Sequence, residues 1–520
     1  MSPEQIKGAF GTISSHDTGN RQGVRARLLT LLAIIGPGLI VMVGDNDAGG
    51  VSTYAQAGQD YGYTLLWTLP LLIPVLIIVQ EMVVRLGAVT GVGHGRLIRE
   101  RFGRYWGNLS IFSILFLNFL IIITEFIGIS LSMEYFGISS LVSVPIAITL
   151  LFAISATGSF RRWERFMMLF VAVNFLVVPL LLVSHPHYGS VATHLVIPGI
   201  RGGANSSAVL LIISIIGTTV APWQLFFQES NIVDKKITPR WINYERVDTI
   251  IGSFIVVIGA TVLVVASATL AHGGTTSSFT TTLALAHQLG RSVGHGAGAF
   301  FALILLNASI IGAAAVTLAS SYAISDLSST HQGLNARFSE ARGFYLGFLA
   351  LLIVAGSVAV IPHAPLGLIT LAVQAISGLM LPFTTIIVLL LCNDRAIMGP
   401  WVNPRWLNAV ATVVVTALVA LSVGLMTSTL FSSLNVVALL KWLFAVAGVG
   451  LAVGIPIGWR YWPARVTIDG DRRDWRTPRL TLLEPLPPSR FRWWLMRVQS
   501  GYLAVAGALL ILRIVQLATA

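Results

Sequence analysis

In the stretch MVGDNDAGGVSTYAQAG, residues 42–58, two carboxylates (Asp45 and Asp47) and the pair Gly49–Gly50 interrupt an apolar run that begins near residue 28. A carboxylate within a membrane costs on the order of 3 kcal/mol or more, so it implies a partner, a proton or a cation there. Backbone that leaves the helix at that depth survives only where it is buried in protein or lines a polar cavity. The chemistry this points to is cation binding. The alternative is that both aspartates merely lie at the outer end of the span, although compatible sequence resumes with VSTYAQAG. A second interruption occurs in AVLLIISIIGTTVAPWQLFFQESNIV, where Gly217, Thr218, Thr219, Ala221 and Pro222 divide an apolar segment. Proline removes one donor and clashes with the preceding turn, which frees carbonyls near Thr218. By itself this could be a simple kink.

The elements that hold these residues follow from composition. The chain has 520 residues, 55% of them hydrophobic and only 10% charged, with a formal net charge of +12 and mean hydropathy of +0.81. A soluble domain carries roughly 25% charged residues, so this is an integral membrane protein. A single cysteine, Cys392, excludes intrachain disulfides and Cys-cluster metal sites. No cleavable signal peptide is visible, and residues 1–27 read as a disordered tail. At about 20 apolar residues per crossing, spans lie near 28–57, 63–88, 107–133, 141–158, 166–184, 208–231, 249–272, 295–325, 344–361, 366–392, 406–429 and 434–460, with a weaker thirteenth near 500–518.

Basic residues gather in the connections after even-numbered spans, for example Arg96, Arg99, Arg101 and Arg104, and in the tail after span 12; the connections after odd-numbered spans hold Arg201 and Arg291. This asymmetry places the N-terminus in the cytoplasm of a cell that carries the protein in its plasma membrane. Dispersed in this way, the positive charge does not suggest nucleic acid as a partner. The interruptions in spans 1 and 6 occupy the first members of two five-span sets. Paired breaks at corresponding positions point to a transporter site between inverted repeats. The domain reading is a first repeat over 28–184, a second over 208–392, two further helices over 406–460, a basic segment over 461–494 and a possible helix over 495–520.

These residues resemble the natural resistance-associated macrophage protein family of divalent-metal transporters, from about Gly36 to Leu425. GPGLIVMVGDNDAGG is similar to that family's first-helix stretch ending in D-P-G-N. AGQDYGYTLLW and VVRLGAVTG resemble its second-helix region, TEFIG part of its third helix, and NDRAIMGPWVNPRWLNA the connection after its tenth. TTVAPWQLFFQES occupies the place of its sixth-helix M-P-H motif. The resemblance implies an all-α, leucine-transporter-like fold: two inverted five-helix repeats with unwound helices 1 and 6, plus two or three C-terminal helices.

The departures from the pattern carry information too. Asp47 stands at the motif aspartate, while Ala48 replaces its proline and Gly50 its asparagine. Ala221 replaces the sixth-helix methionine, Trp223 and Gln228 replace two histidines, and Ile122 stands where the family has an aspartate. The loss of the methionine is similar to the branch of related magnesium transporters. A thioether suits transition metals, whereas carboxylate, carbonyl and water suit Mg²⁺, which keeps several waters. The implied ion site is Asp47 with carbonyls near Gly44 and Thr218, walls at Gly50 and Ala221, and Gln374, which matches a glutamine that reaches the ion. For Gln374 the alternative is a helix–helix hydrogen bond. Asp45, Glu125, Trp223, Gln224 and Gln228 are placed around it or along the path. Asp45 is either a second acid or an uninvolved vestibule residue, and Glu125 either a proton-path remnant or a satisfied interhelical carboxylate.

Glu81 and Arg85, spaced i, i+4, read as a structural pair. His185, His187 and His194 read as ordinary loop histidines. No Ser-His-Asp set or phosphate-cradling loop suggests an enzyme or an ATP-driven pump, and no cofactor is implied. The partners are a divalent ion, Mg²⁺ or Mn²⁺, and the bilayer, with the chain a monomer or weak oligomer. An organic-solute symporter of the same fold, or a non-transporting receptor, would not need these motifs.

Overall fold

The computed structural model describes residues 5–14, 17, 23–203, 205–272, 279–328, 333–336, 338–361, 366–430, 435–460, 470–483 and 490–519. A short hairpin, β1 (Gln5–Gly8) and β2 (Gly11–Ser14), comes first. The helices then run α1 (Val24–Ile34), α2 (Pro37–Gly44), α3 (Ala48–Tyr61), α4 (Thr68–Thr90), α5 (His94–Phe102), α6 (Arg104–Tyr135), α7 (Ser140–Ser155), α8 (Phe160–Val173), α9 (Val177–Ser184) and α10 (Tyr188–Val196). The second half continues with α11 (Ser206–Thr219), α12 (Pro222–Asp234), α13 (Ile242–His272), α14 (Thr282–Ser292), α15 (His295–Ser328), α16 (Arg342–Ala359) and α17 (Leu366–Cys392). After the short α18 (Arg395–Met398) come α19 (Arg405–Leu430), α20 (Val436–Arg460) and α21 (Arg490–Thr519).

Among the described residues, ten helices are long and apolar enough to cross a membrane, and the pair α1–α2, bent by 56°, would make eleven; α7 is apolar but shorter. Each falls on one of the apolar runs read from the sequence. α2 packs on α12 and α3 on α11, so the first half of each broken helix lies against the second half of the other. The two breaks are thereby brought side by side in opposite directions. α13 and α4 flank them on one side, and α6, α15 and α17 close the other.

Side-chain pairings gather the loops after α4, α12, α17 and α20 at one end of the bundle. Arg101 pairs with Asp394 at 2.6 Å, Arg246 with Glu81 at 2.6 Å and Arg240 with Asp474 at 2.5 Å. At the same end, α1 turns into α2 at Gly36, whose φ of 147° excludes most side chains. The hinge is held by a buried carboxylate: Asp248 accepts the N–H groups of Gly36, Gly38 and Leu39 at 3.1, 2.8 and 3.2 Å. Lys235 donates to the Ile34 carbonyl and to Glu164, both at 2.6 Å.

The N-terminus departs from the sequence expectation of a disordered tail over 1–27. An isolated hairpin is marginal in water, but this one buries Ile6 and Ala9. Arg165 donates to the Ala9 carbonyl at 2.9 Å, and Gly8 packs against the Ala33 carbonyl with Lys235 close by. The segment is ordered by the hinge it lies on, which no local periodicity announces. Residues 1–4, 15–16 and 18–22 of that expectation lie outside the described residues.

Candidate functional site

The first break is shorter than the sequence suggested. Helix stops at Gly44 and resumes at Ala48, so Gly49 and Gly50 belong to the first turn of α3. Asp47 is the N-cap, its Oδ1 accepting the Gly50 N–H at 2.6 Å, which satisfies one of the turn's orphan donors. Ala48 N–H would return to the Gly44 carbonyl in a continuous helix. It donates instead to Glu125 Oε2 at 3.1 Å, leaving the Gly44 oxygen without its helical donor. A proline here, as in the family motif, could not make that bond.

The second break is also narrower. Thr218 and Thr219 remain in α11, and only Val220 and Ala221 leave the helix before Pro222 opens α12. Pro222 has no N–H to return to the Thr218 carbonyl, so that oxygen loses its helical partner for a covalent reason. Ser377 of α17 donates to the Gly217 carbonyl at 2.6 Å and ties the second break to that helix.

The predicted residues converge unequally. Asp45 and Asp47 are both buried, at 0% and 2% exposure, and Glu125 is fully buried beside Asp47. The Thr218 hydroxyl adjoins Asp47 and faces Gly50. Neither oxygen of Asp45 has a hydrogen-bond partner; Gln224 is its polar neighbour. Asp45 is therefore interior in this conformation. The Gln374 amide nitrogen makes no hydrogen bond either. It rests on Gly49 so closely that a β-carbon there would lie 1.6 Å from it, so it is not a helix–helix donor. Trp223 packs against Gly44 and Phe227, closing the site where the family has a histidine. Gln228 lies farther along α12, donating to Thr249 at 3.1 Å. Ala221 is buried at the break and offers no donor atom from its side chain.

Three residues escaped the sequence reading. Tyr54 hydrogen-bonds Thr219 at 2.7 Å, bridging α3 to α11. Gln80, a lone amide in the apolar run of α4, donates to Gln224 at 3.1 Å. Ser377 was hidden because a serine in an apolar helix usually bonds its own backbone. Gln80 alone carried a signal, since a buried amide in such a run needs a partner. The loop histidines stay ordinary, with His185 and His194 bonded to local carbonyls at 2.8 Å.

Among the described residues no lysine or arginine pairs with Asp45, Asp47 or Glu125. Nor do any three His, Cys, Asp or Glu side chains converge as a ready metal cluster. An ion here must therefore take backbone oxygens or water in addition to carboxylate. A crevice of about 10 Å³ lies beside Ala48, Ser52, Thr124 and Thr370, room for no more than about one water.

Two broken helices that meet among buried carboxylates fit a membrane transporter of the leucine-transporter-like fold, and the family that the chain matches consists of transporters, not enzymes. More particularly, residues 38–428 match the family described as Natural resistance-associated macrophage protein-like (Nramp), and the chain belongs to that family. It is 29% identical over 407 residues to the divalent metal cation transporter MntH of Ralstonia nicotianae, covering 73% of this chain and 87% of that protein. It is 28% identical over 402 residues to MntH 1 of Pseudomonas aeruginosa, covering 74% and 89%. Among solved structures it is similar to a manganese transporter of Eremococcus coleocola, at a TM-score of 0.63 and 21% identity, covering 85% of this chain and 97% of that one.

Proposed function

We propose that the chain carries divalent metal cations across the membrane by alternating access, with Asp47 as the charged ligand and the Gly44 and Thr218 carbonyls as its neutral partners. The observation that carries this reading is the burial of Asp45, Asp47 and Glu125 with no lysine or arginine paired to them among the described residues. A dication supplies the missing charge. The MntH relatives, divalent metal cation transporters by name, support the substrate class. Residues 28–184 and 208–392 are the two repeats in this reading, and the arginine-rich end faces the cytoplasm.

Within that class we favour Mg²⁺, with Mn²⁺ also accepted, as a partly hydrated ion. Ala221 presents no thioether, and the oxygen-only donor set suits a hard cation. One or two carboxylates plus water is how Mg²⁺ is usually held. The same site favours transport without proton coupling, because Trp223 and Gln228 carry no titrating proton and Ile122 cannot pass one.

A specific observation favours the alternative, a proton-coupled Mn²⁺/Fe²⁺ symporter: Glu125 lies directly beside Asp47, and its Oε1 makes no hydrogen bond. Proteoliposome uptake of Mg²⁺, Mn²⁺ and Ca²⁺ in parallel, with internal pH recorded, separates the two. Mg²⁺ and Mn²⁺ uptake at constant pH supports the first reading. Exclusion of millimolar Mg²⁺ with acidification during Mn²⁺ entry selects the second.

A further inference from the structure

A cavity lies away from the ion site, at the arginine-rich end, between α4, α13 and the α18–α19 connection. Its volume is about 1090 Å³. Its charged lining is Arg85, Arg246, Arg395, Arg405 and Arg472 against the single acid Glu81. Glu81 is already engaged, taking Arg246 at 2.6 Å and Arg85 at 3.1 Å. Arg85 forms the floor: it is 3% exposed, its two terminal nitrogens are bonded, and its Nε has no partner. Arg405 at the rim pairs with no described acid.

One of these arginines comes from the segment after α20. Residues 470–483 lie along the end of the bundle, with the Thr477 N–H donating to the Val89 carbonyl at 3.2 Å and its hydroxyl donating to the Ile397 carbonyl at 2.6 Å. Trp475 seats on Gly399. The Trp401 indole N–H donates to the Arg472 carbonyl at 2.8 Å, and the Arg472 guanidinium lies 4.0 Å above the same indole ring. The described part of the basic segment, residues 470–483, is thus folded back to complete the wall of this cavity.

The cavity also has a membrane-facing side. Ile77 and Ile78 of α4 and Ile250 of α13 line it, all on spanning helices, and Trp406 and Trp459 stand at its mouth 61% and 46% exposed. Tryptophan and arginine together mark the interfacial zone of a bilayer. We infer that this cavity binds the phosphate-bearing head group of an anionic phospholipid from the leaflet on the N-terminal side. Guanidinium groups match phosphate oxygens in a fork geometry, and basic pockets between membrane helices are where acidic head groups lodge. A free phosphate would satisfy the arginines but has no use for an isoleucine wall continuous with the lipid-facing helices. The acyl chains of a lipid do.

The test is native mass spectrometry of the purified full chain in detergent with added phosphatidylglycerol, phosphatidylcholine or inorganic phosphate. Wild type retains phosphatidylglycerol over phosphatidylcholine, and Arg405→Gln lowers that preference about fivefold, the factor one basic contact is worth near an anionic head group. Arg104→Gln, at an exposed residue outside the cavity lining, leaves the preference unchanged. The Arg405 side chain makes no described hydrogen bond or ion pair, so an unchanged melting temperature for Arg405→Gln separates lipid binding from folding. Equal retention of the two lipids overturns the inference. Displacement of phosphatidylglycerol by millimolar inorganic phosphate overturns it in favour of a soluble anion site.

Discussion

Asp47 does two jobs at once, and they can be separated. Its Oδ1 caps α3 through the Gly50 N–H, and its charge is the proposed ligand for the ion. Asp47→Asn keeps an oxygen that can cap the helix, because asparagine is as good an N-cap as aspartate. It should therefore fold and melt near wild type while metal uptake falls to background; uptake by folded Asp47→Asn would remove Asp47 from the ligand role. Ala221 is the residue through which selectivity can be read. Ala221→Met supplies a soft ligand at the second break and should raise Mn²⁺ uptake relative to Mg²⁺ in competition assays. Restoring the family asparagine at position 50 is the poorer experiment. A β-carbon on Gly50 would lie 2.8 Å from the Asp45 backbone oxygen and 3.0 Å from the Thr218 hydroxyl, so the break itself would have to shift.

Between α1 and α2 the chain bends 56° at a glycine, and three buried groups hold the bend. Asp248 ties down three backbone N–H groups, Lys235 satisfies the Ile34 carbonyl at the end of α1, and Glu164 balances the lysine. Removing one partner of a buried pair leaves the other charged and unsolvated, at a cost of about 3–5 kcal/mol. Lys235→Met should accordingly lower the thermal midpoint in detergent, and Lys235→Met combined with Glu164→Gln should recover part of the loss. If the double variant is no more stable than the single, the ion pair is not what holds the hinge. The hairpin β1–β2 clasps the same hinge, so hydrogen exchange in residues 5–14 should rise along with that of α1 in the Lys235 variant.

At the scale of the whole molecule, the proposed cycle is driven by the metal gradient and the membrane potential. An uncompensated dication gains about 4.6 kcal/mol per 100 mV of negative-inside potential, twice the value per elementary charge. With the voltage clamped by K⁺ and valinomycin, Mg²⁺ or Mn²⁺ influx should leave an internal pH dye flat and should steepen with voltage. Acidification that scales with metal entry, and that Glu125→Gln abolishes, would instead make Glu125 a proton carrier.

By itself the sequence determined the membrane class, the order of the spans and the two interruptions. Each of these is written in local composition: an apolar run must be long enough to cross lipid, a proline cannot donate, and aspartates in lipid demand a reason. It also pointed to Asp47, Thr218 and Gln374, because the motifs that carry the family resemblance are contiguous. What only the tertiary structure decided were the pairings between distant segments. The hydrogen bonds of Tyr54 to Thr219, Gln80 to Gln224, Ser377 to the Gly217 carbonyl and Glu125 to Ala48 span 165, 144, 160 and 77 residues. No periodicity relates such positions. The ordered hairpin and the arginine-lined cavity belong to the same class: each is built where segments far apart in the chain meet, and burial in a shared space is a property of the packed molecule, not of any window of sequence.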